Sequence, residues 1–211
     1  MKPKLSQRIQ WRLKRGIEWI VALILLLLTF PLQLLIALAV KLGSPGPVLF
    51  VQARMGRNGR PFRMYKFRTL RWDPGASPVY NPDGSTRVET NDRRLTRVGR
   101  RLRVGWDELP QLIHVLRGEM ALIGPRPDEP VHRQFYTAKE EGKLAVLPGI
   151  TGLPQAMGRN EIPWKERIAL DLEYIARYSL WLDLQIVWRT VSLLLFGNGG
   201  SIAGTKRTQV Q

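Results

Sequence analysis

The sequence has no cysteine and only two histidines, His114 and His132. The first absence excludes disulfides, thiolate metal sites and a cysteine nucleophile. The second leaves little room for an imidazole metal centre, since neither histidine has a ligand partner at helical spacing. Acidic residues are scarce too: 17 Asp and Glu stand against 33 Lys and Arg, a formal charge of +16 over 211 residues. That imbalance points to an anionic partner, which can be nucleic acid, an anionic membrane surface or a phosphorylated substrate. The common nucleotide signatures are missing: there is no Walker loop, no dinucleotide glycine pattern and no serine-hydrolase elbow. Apolar residues still make up 44%, so the chain can build a core and is not a disordered basic tail.

What the chain has in excess is one apolar run. Residues 19–40 carry no charge, and about 20 apolar residues suffice to cross the hydrocarbon core as a helix. Two features argue against a plain span. Pro31 lies within the run, where it removes the hydrogen bond to the Leu27 carbonyl and predicts a kink or break. Gln33 and Thr29 are the nearby side chains able to satisfy a freed backbone group. Basic residues also flank both ends: Lys2, Lys4, Arg8, Arg12, Lys14 and Arg15 before, Lys41, Arg54, Arg57, Arg60 and Arg63 after. Positive charge marks the cytoplasmic side, so neither end is marked for translocation. A re-entrant helix-break-helix that enters and leaves by one face reconciles these facts; a kinked span is the alternative.

Downstream, Gly43-Ser44-Pro45-Gly46-Pro47 is a turn cluster. Residues 48–69 read as a β-hairpin turning at Asn58-Gly59, with a basic, solvated return strand carrying Arg63, Lys66 and Arg68. Residues 73–92 form a long polar loop. Six Arg then crowd residues 92–103, suited either to lipid headgroups or to substrate phosphate. Residues 106–118 predict a helix with Asp107 at its N-cap, Pro110 in its first turn and Gly118 as its stop. An Asp there is favoured in its ionised form; taken alone, it reads first as a simple cap. Ile123-Gly124-Pro125-Arg126-Pro127 and Pro148-Gly149-Ile150-Thr151-Gly152-Leu153 are rigid turns. Pro163 opens a helix reaching Tyr178, and Ser179 caps the last helix, which ends near Gly197. In that last helix Trp181, Leu184, Val187, Trp188, Arg189, Val191, Leu194 and Leu195 suit either core packing or the headgroup level.

The expected fold class is α+β and mostly helical: a re-entrant membrane helix-break-helix, a small β-hairpin, and amphipathic interfacial helices around the active site. The expected organisation is a basic N-terminus with the membrane helix over 1–42, a catalytic domain over 43–200, and a loose tail over 201–211. Carboxylates among many cations, beside a membrane, fit phosphoryl chemistry. Carboxylates can hold Mg²⁺ or act as nucleophiles, while cations offset charge on phosphoryl oxygens.

Seven pieces in chain order carry a resemblance. They are the hydrophobic helix with Pro31, Ser44-Pro45-Gly46-Pro47-Val48, Lys66-Phe67-Arg68-Thr69, Asp107-Glu108-Leu109-Pro110-Gln111-Leu112, Gly124-Pro125-Arg126-Pro127, the 148–153 turn, and Ser179-Leu180-Trp181-Leu182-Asp183. With these the chain resembles the bacterial sugar transferases, monotopic polyprenyl-phosphate phosphoglycosyl transferases, in their minimal catalytic form. The resemblance spans about Lys14 to Val191.

It implies transfer of a sugar-1-phosphate from a UDP-sugar to polyprenyl (undecaprenyl) phosphate, releasing UMP through a phosphosugar-aspartyl intermediate. This would be the first membrane step of exopolysaccharide, O-antigen or glycoconjugate synthesis. Asp107 would be the nucleophile and a ligand of the cofactor Mg²⁺; Glu108 would assist with the metal or with a proton. Lys66, Arg68, Arg103 and Arg126 would meet phosphates, with Arg101 an alternative to Arg103, and Pro125 and Pro127 would frame the nucleotide. The implied partners include anionic membrane lipids and no nucleic acid, with a homodimer left open. The implied location is the bacterial inner membrane, catalytic domain on the cytoplasmic face. The competing reading is a membrane-anchored basic module for anionic lipid or nucleic acid, although no nucleic-acid motif is recognisable.

Overall fold

The computed structural model describes residues 5–75, 79–82, 85, 92–157 and 162–196. Lys2, Lys4, the Arg8 side chain, much of the 73–92 loop, the Gly197 end and the expected 201–211 tail lie outside the described residues. The chain is mostly helical, with one small antiparallel hairpin and one long apolar N-terminal helix.

Helix α1 (Leu5–Gly43, 39 residues) is one element with Pro31 inside it. Helical structure runs on through Pro31, so of the expected kink or break it is the break that does not occur. Proline costs one amide donor, and the adjoining turns keep theirs. Thr29 Oγ1 donates to the Leu25 carbonyl at 2.6 Å, and Gln33 Nε2 donates to Thr29 Oγ1 at 3.0 Å, bracing the turns around Pro31. The segment Ile9–Gly43 of α1, 35 residues, is long and apolar enough to cross a membrane by length and composition.

Among the described side chains of α1, only one stripe is buried. Lys14, Glu18, Ala22, Ile36 and Val40 lie on it, and at 100° per residue these positions share one face on both sides of Pro31. Ala22 packs with Met64, Leu112, Val115 and Met120, while Ile36 and Val40 pack with Phe67 and Leu102. Nearer the start, Trp11 stacks on Tyr178 at 3.9 Å. Thus both halves of α1 rest on the same body. The opposite face, including Ile20, Ile24, Leu27, Leu28, Leu35 and Leu42, is exposed, Leu28 to 72%. Lys14 is not one of the flanking surface cations. It is buried between Glu18 (2.7 Å) and Asp183 (2.8 Å), and Asp183 also accepts from the Tyr174 hydroxyl.

The hairpin forms as expected: β1 (Leu49–Met55) pairs antiparallel with β2 (Pro61–Phe67). Asn58 and Gly59 both take left-handed conformations, φ 60° and 72°, which the tight turn requires. The return strand is not a solvated basic surface, however. Met64 and Phe67 are buried, and so is Arg68, only 3% exposed. The Arg68 guanidinium donates to the carbonyls of Pro47 (2.7 Å), Pro45 (2.6 Å) and Ser44 (2.8 Å). This moves Arg68 out of the expected substrate set: its fork ties the turn leaving α1 to the end of β2. The proline-rich turn supplies carbonyls whose amide partners are few, which is what an all-donor side chain needs.

Beyond the hairpin, α2 (Arg97–Leu102) is capped by Thr96, whose Oγ1 accepts from the Gly99 amide. Gly99 lies against Thr69: a Cβ there would meet the Thr69 carbonyl oxygen at 1.9 Å. A 3-10 turn (Trp106–Gln111) leads into α3 (Leu112–Leu116), and Gly118 at φ 73° ends it. The two segments expected to be turns also pair. Strands β3 (Ala121–Ile123) and β4 (Gly149–Thr151) are parallel. Gly124 and Gly149 permit the approach, since a Cβ on Gly149 would meet the Gly124 amide at 2.1 Å. Helices α4 (Leu153–Met157), α5 (Trp164–Ala176) and α6 (Leu180–Phe196) complete the body. Ser179 caps α6 as expected, its Oγ accepting from the Leu182 amide at 3.1 Å. Trp181 and Trp188 remain exposed, while Ile186 of α6 is buried.

Arg68→Lys keeps the charge but loses the fork. It is expected to cost about 2–3 kcal/mol, because buried carbonyls lose their donors; chemical denaturation measures this. A surface phosphate ligand would instead leave stability unchanged on the same replacement.

Candidate active site

The site is built where β2 meets the 3-10 turn. Strand β2 has β1 on one edge only, so alternate amides on its other edge lack a strand partner. His114 of α3 takes one of them: the Tyr65 amide donates to His114 Nε2 at 3.1 Å. Since Nε2 accepts, Nδ1 carries the proton and donates to Glu119 at 2.6 Å. This fully buried imidazole locks β2 to α3 and so fixes Lys66 against the turn that bears Asp107 and Glu108. These contacts give His114 a structural part.

Lys66 Nζ donates to Glu108 Oε1 at 2.7 Å, and Arg126 Nη2 lies 3.6 Å from the same oxygen. Glu108 is thereby held between two cations from distant segments. Asp107 is different. Among the described residues no cation lies within 4.0 Å of its carboxylate, yet Lys66 and Arg126 both act on it through space. It is half-buried beside exposed Val104 and Trp106.

Two expectations about Asp107 change here. Gly105, at φ 132°, occupies the position before the helix, and Asp107 sits inside the first turn, not at the N-cap. The net direction of its acidity also differs: burial pushes its carboxyl above the usual range, Lys66 opposes this, and Glu108 adds to it. Burial likewise lowers the Lys66 ammonium, against the pull of Glu108. The four-group cluster is therefore tightly coupled and poorly solvated, which strengthens every interaction with an incoming charge.

Arg126 projects from a buried frame. Pro125 and Pro127 are buried, while the Arg126 side chain is 37% exposed. The Pro125 carbonyl accepts from the Gly149 amide at 2.8 Å, and the Pro127 carbonyl accepts from Arg54 at 3.2 Å. Arg54 is consequently an interior brace and not a membrane-flanking charge. Behind the turn lies a buried ionic group that the sequence did not disclose. Lys143, 4% exposed, bridges Asp128 (2.6 Å) and Asp171 (2.9 Å). Tyr136 and Trp164 donate to the two oxygens of Asp128. Burial raises the Asp128 carboxyl, but Lys143 outweighs it and holds the group at about 2. Burial lifts Asp171 to about 6 despite the same ammonium and an Arg126 backbone contact. A signal for Asp171 did exist, because it falls on the apolar stripe of α5 with Trp164, Ile168 and Tyr174. Lys143 had none.

Arg101 and Arg103 are exposed near α2. Arg103 acts on Asp92, and no ion pair joins either Arg to Asp107 or Glu108. The structure thus brings together Asp107, Glu108, Lys66 and Arg126 on the Pro125–Pro127 frame. It leaves Arg103 outside the cluster and uses Arg68 elsewhere. As for a metal, no group of three or more potential ligands occurs among the described residues. Mg²⁺ characteristically takes one or two carboxylates plus substrate phosphates, and Asp107, in no ion pair, fits that role.

A long apolar face beside a carboxylate pair held among cations defines a class, that of membrane-associated enzymes acting on anionic groups. Residues 9–197 match the model of the family described as bacterial sugar transferase, and the chain belongs to that family. A UDP-glucose:undecaprenyl-phosphate glucose-1-phosphate transferase of Caulobacter vibrioides is 44% identical over 192 residues, covering 86% of this chain and 69% of that protein. One with the same description from Escherichia coli is 43% identical, covering 85% of this chain but 39% of its own length. The exopolysaccharide production protein ExoY of Rhizobium meliloti is 38% identical, covering 88% of this chain and 87% of its own length. The chain therefore spans most of ExoY but well under half of the Escherichia coli relative.

Lys143→Met is expected to cost about 3–5 kcal/mol at pH 7, since two carboxylates are left buried without their cation. The sign with pH follows from the two shifts. Asp128, depressed to about 2, contributes stability above its ordinary 3.8 that is lost as pH falls toward 2. Asp171, raised to about 6, lowers stability as pH rises from 3.8 through 6. Without Lys143 both carboxyls prefer the proton, so the penalty should shrink between pH 7 and pH 4. Unfolding curves of the variant and the parent protein across that range measure it.

Proposed function

We propose that the chain transfers a sugar-1-phosphate from a UDP-sugar to polyprenyl phosphate, releasing UMP. UDP-glucose is the first donor to test, because the Caulobacter vibrioides and Escherichia coli relatives are named for it. The relative ExoY supports a place in exopolysaccharide synthesis. The observation that carries the mechanism is the asymmetry of the acidic pair: Glu108 is engaged by Lys66 and Arg126, while Asp107 is unpaired in their field.

In the first step an Asp107 carboxylate oxygen attacks the β-phosphorus of the donor. The bond from that phosphorus to the oxygen bridging the two phosphates breaks, and UMP leaves with the electron pair. The sugar phosphate remains on Asp107 as an acyl phosphate. In the second step a phosphate oxygen of the lipid attacks the same phosphorus, and Asp107 departs as a carboxylate. Lys66 and Arg126 face the phosphoryl oxygens in both steps, and Glu108 keeps the two cations in place. Pro125 and Pro127 set the direction of Arg126 toward the nucleotide. Mg²⁺, held by Asp107 and the substrate phosphates, would supply further charge neutralisation when bound.

The membrane arrangement in this reading is one-sided, with the domain on the cytoplasmic face and α1 re-entrant in one leaflet. Support comes from α1, whose two halves rest on a single body through Ala22 and through Ile36 with Val40. A helix crossing the bilayer would have to separate those contacts by the hydrocarbon core. Exposed Trp181 and Trp188 suit α6 to the headgroup level.

Asp107→Asn is expected to abolish UMP release from UDP-glucose and undecaprenyl phosphate, and Lys66→Met to slow it by about a hundredfold or more. Full turnover by Asp107→Asn would refute the mechanism. Topology is tested separately: with no native cysteine, single cysteines at positions 5 and 45 should be labelled from the same side of the membrane. Labelling from opposite sides would refute the one-leaflet arrangement.

A further inference from the structure

Away from Asp107, a cleft of about 440 Å³ opens between the start of α1 and the end of α3. Three arginines line it: Arg12 and Arg15 from α1, and Arg117 just after α3. All three residues are exposed, and among the described residues none has a carboxylate within 4.0 Å. The acid at the cleft wall, Glu18, is already committed, since it accepts from Lys14 and from the Ile123 amide. The cleft therefore carries uncompensated positive charge.

Its shape depends on two glycines. Gly16 faces open space, with nothing within 4 Å of where a Cβ would sit. Gly118, at φ 73°, leaves room for Arg15, whose Nη2 lies 2.4 Å from the position of a Cβ there. Arg15 is thus seated over the end of α3, toward Arg117, and does not trail into solvent. Trp19 closes the lower wall, its indole N–H donating to the Leu116 carbonyl at 3.2 Å. Past Trp19, on the side of α1 that carries Arg12 and Gly16, come half-buried Leu23 and exposed Leu27 and Phe30. Cations above, an anchored tryptophan at the boundary and apolar side chains below reproduce the layering of a phosphate headgroup over its hydrocarbon chains.

We infer that this cleft binds the phosphate group of one membrane lipid, with Arg12, Arg15 and Arg117 on the phosphate and the lipid chain lying along Leu23, Leu27 and Phe30, which continue the cleft's side of α1. Two lipids carry that chemistry, a bulk anionic phospholipid and the polyprenyl phosphate of the proposed reaction. The inference stands on the cleft itself and holds whichever reaction Asp107 performs.

The test uses the full chain in a neutral detergent and reads bound lipid by native mass spectrometry, with no donor sugar present. The probes are dioleoylphosphatidylglycerol and undecaprenyl phosphate, with dioleoylglycerol and undecaprenol as phosphate-free controls. One phosphate lipid should bind per chain, and neither control. Each of Arg12→Gln, Arg15→Gln and Arg117→Gln should weaken binding about fivefold. Gly16→Leu fills the cleft without changing charge and improves helix propensity, so it should fold and weaken binding by about tenfold. Loss of phosphatidylglycerol alone assigns the cleft to bulk phospholipid. Loss of undecaprenyl phosphate, with phosphatidylglycerol competing for it, assigns the cleft to the polyprenyl lipid. Parental affinity for both probes in the triple Arg variant and in Gly16→Leu would overturn the inference.

Discussion

One helix must satisfy two solvents at once, and the rest of the structure follows from that constraint. Helix α1 gives the folded body a single stripe and, from Trp19 to Val40, leaves its other faces uncharged and mostly apolar. The stripe is not purely apolar. Near its start, Lys14 joins Glu18 and Asp183, so the helix is registered against α6 by a buried ionic contact and against the core by Ala22. Removing one partner from such a contact is costly, whereas apolar packing alone tolerates sliding. At the other end Ile36 and Val40 pack on Phe67, and the Arg68 fork grips the turn that follows. The helix is therefore held at both ends, and its exposed face is presented in a fixed orientation.

The active-site cluster inherits its geometry from these anchors. Arg68 ends the same strand that carries Lys66, and His114 ties that strand to the helix following Glu108. From the far side, the paired glycines of β3 and β4 and the Lys143 ionic group hold the frame of Arg126. Asp107 itself needs few contacts. Its surroundings are made stiff by partners that saturate each other, so its own carboxylate is left for another charge. The supporting groups are buried and the presenting groups half-exposed, the arrangement expected where electrostatic preorganisation acts on a transferred phosphoryl group.

Much of this was legible along the chain. The hairpin followed from Asn58-Gly59 between two alternating segments, the α5 and α6 starts from Pro163 and Ser179, and the family from seven motifs in order. Three readings of the backbone changed. Pro31 predicted a kink or a break, and the break does not occur, because one missing donor among many does not end a helix. Asp107 resembled a cap, but Gly105 takes the turn's strained conformation and moves the cap position back by two residues. The Pro-Gly segments around Gly124 and Gly149 looked like isolated turns; they pair because their glycines let two backbones touch. A parallel pair joins residues far apart in sequence, so no local pattern announces it.

The sequence by itself determined the apolar run, the excess of cations, the order of the motifs and hence the family. These are properties of composition and short spacing, written in neighbouring residues. Only the tertiary structure decided which charges are available. Lys14, Arg54, Arg68 and Lys143 are spent on interior partners, Lys66 and Arg126 face the Asp107 site, and Arg12, Arg15 and Arg117 line an open cleft. In a list of residues all nine are alike. What separates them is desolvation and the carboxylates or carbonyls that meet them, and those come from segments remote in the chain, such as Asp183 reaching Lys14 across 169 positions.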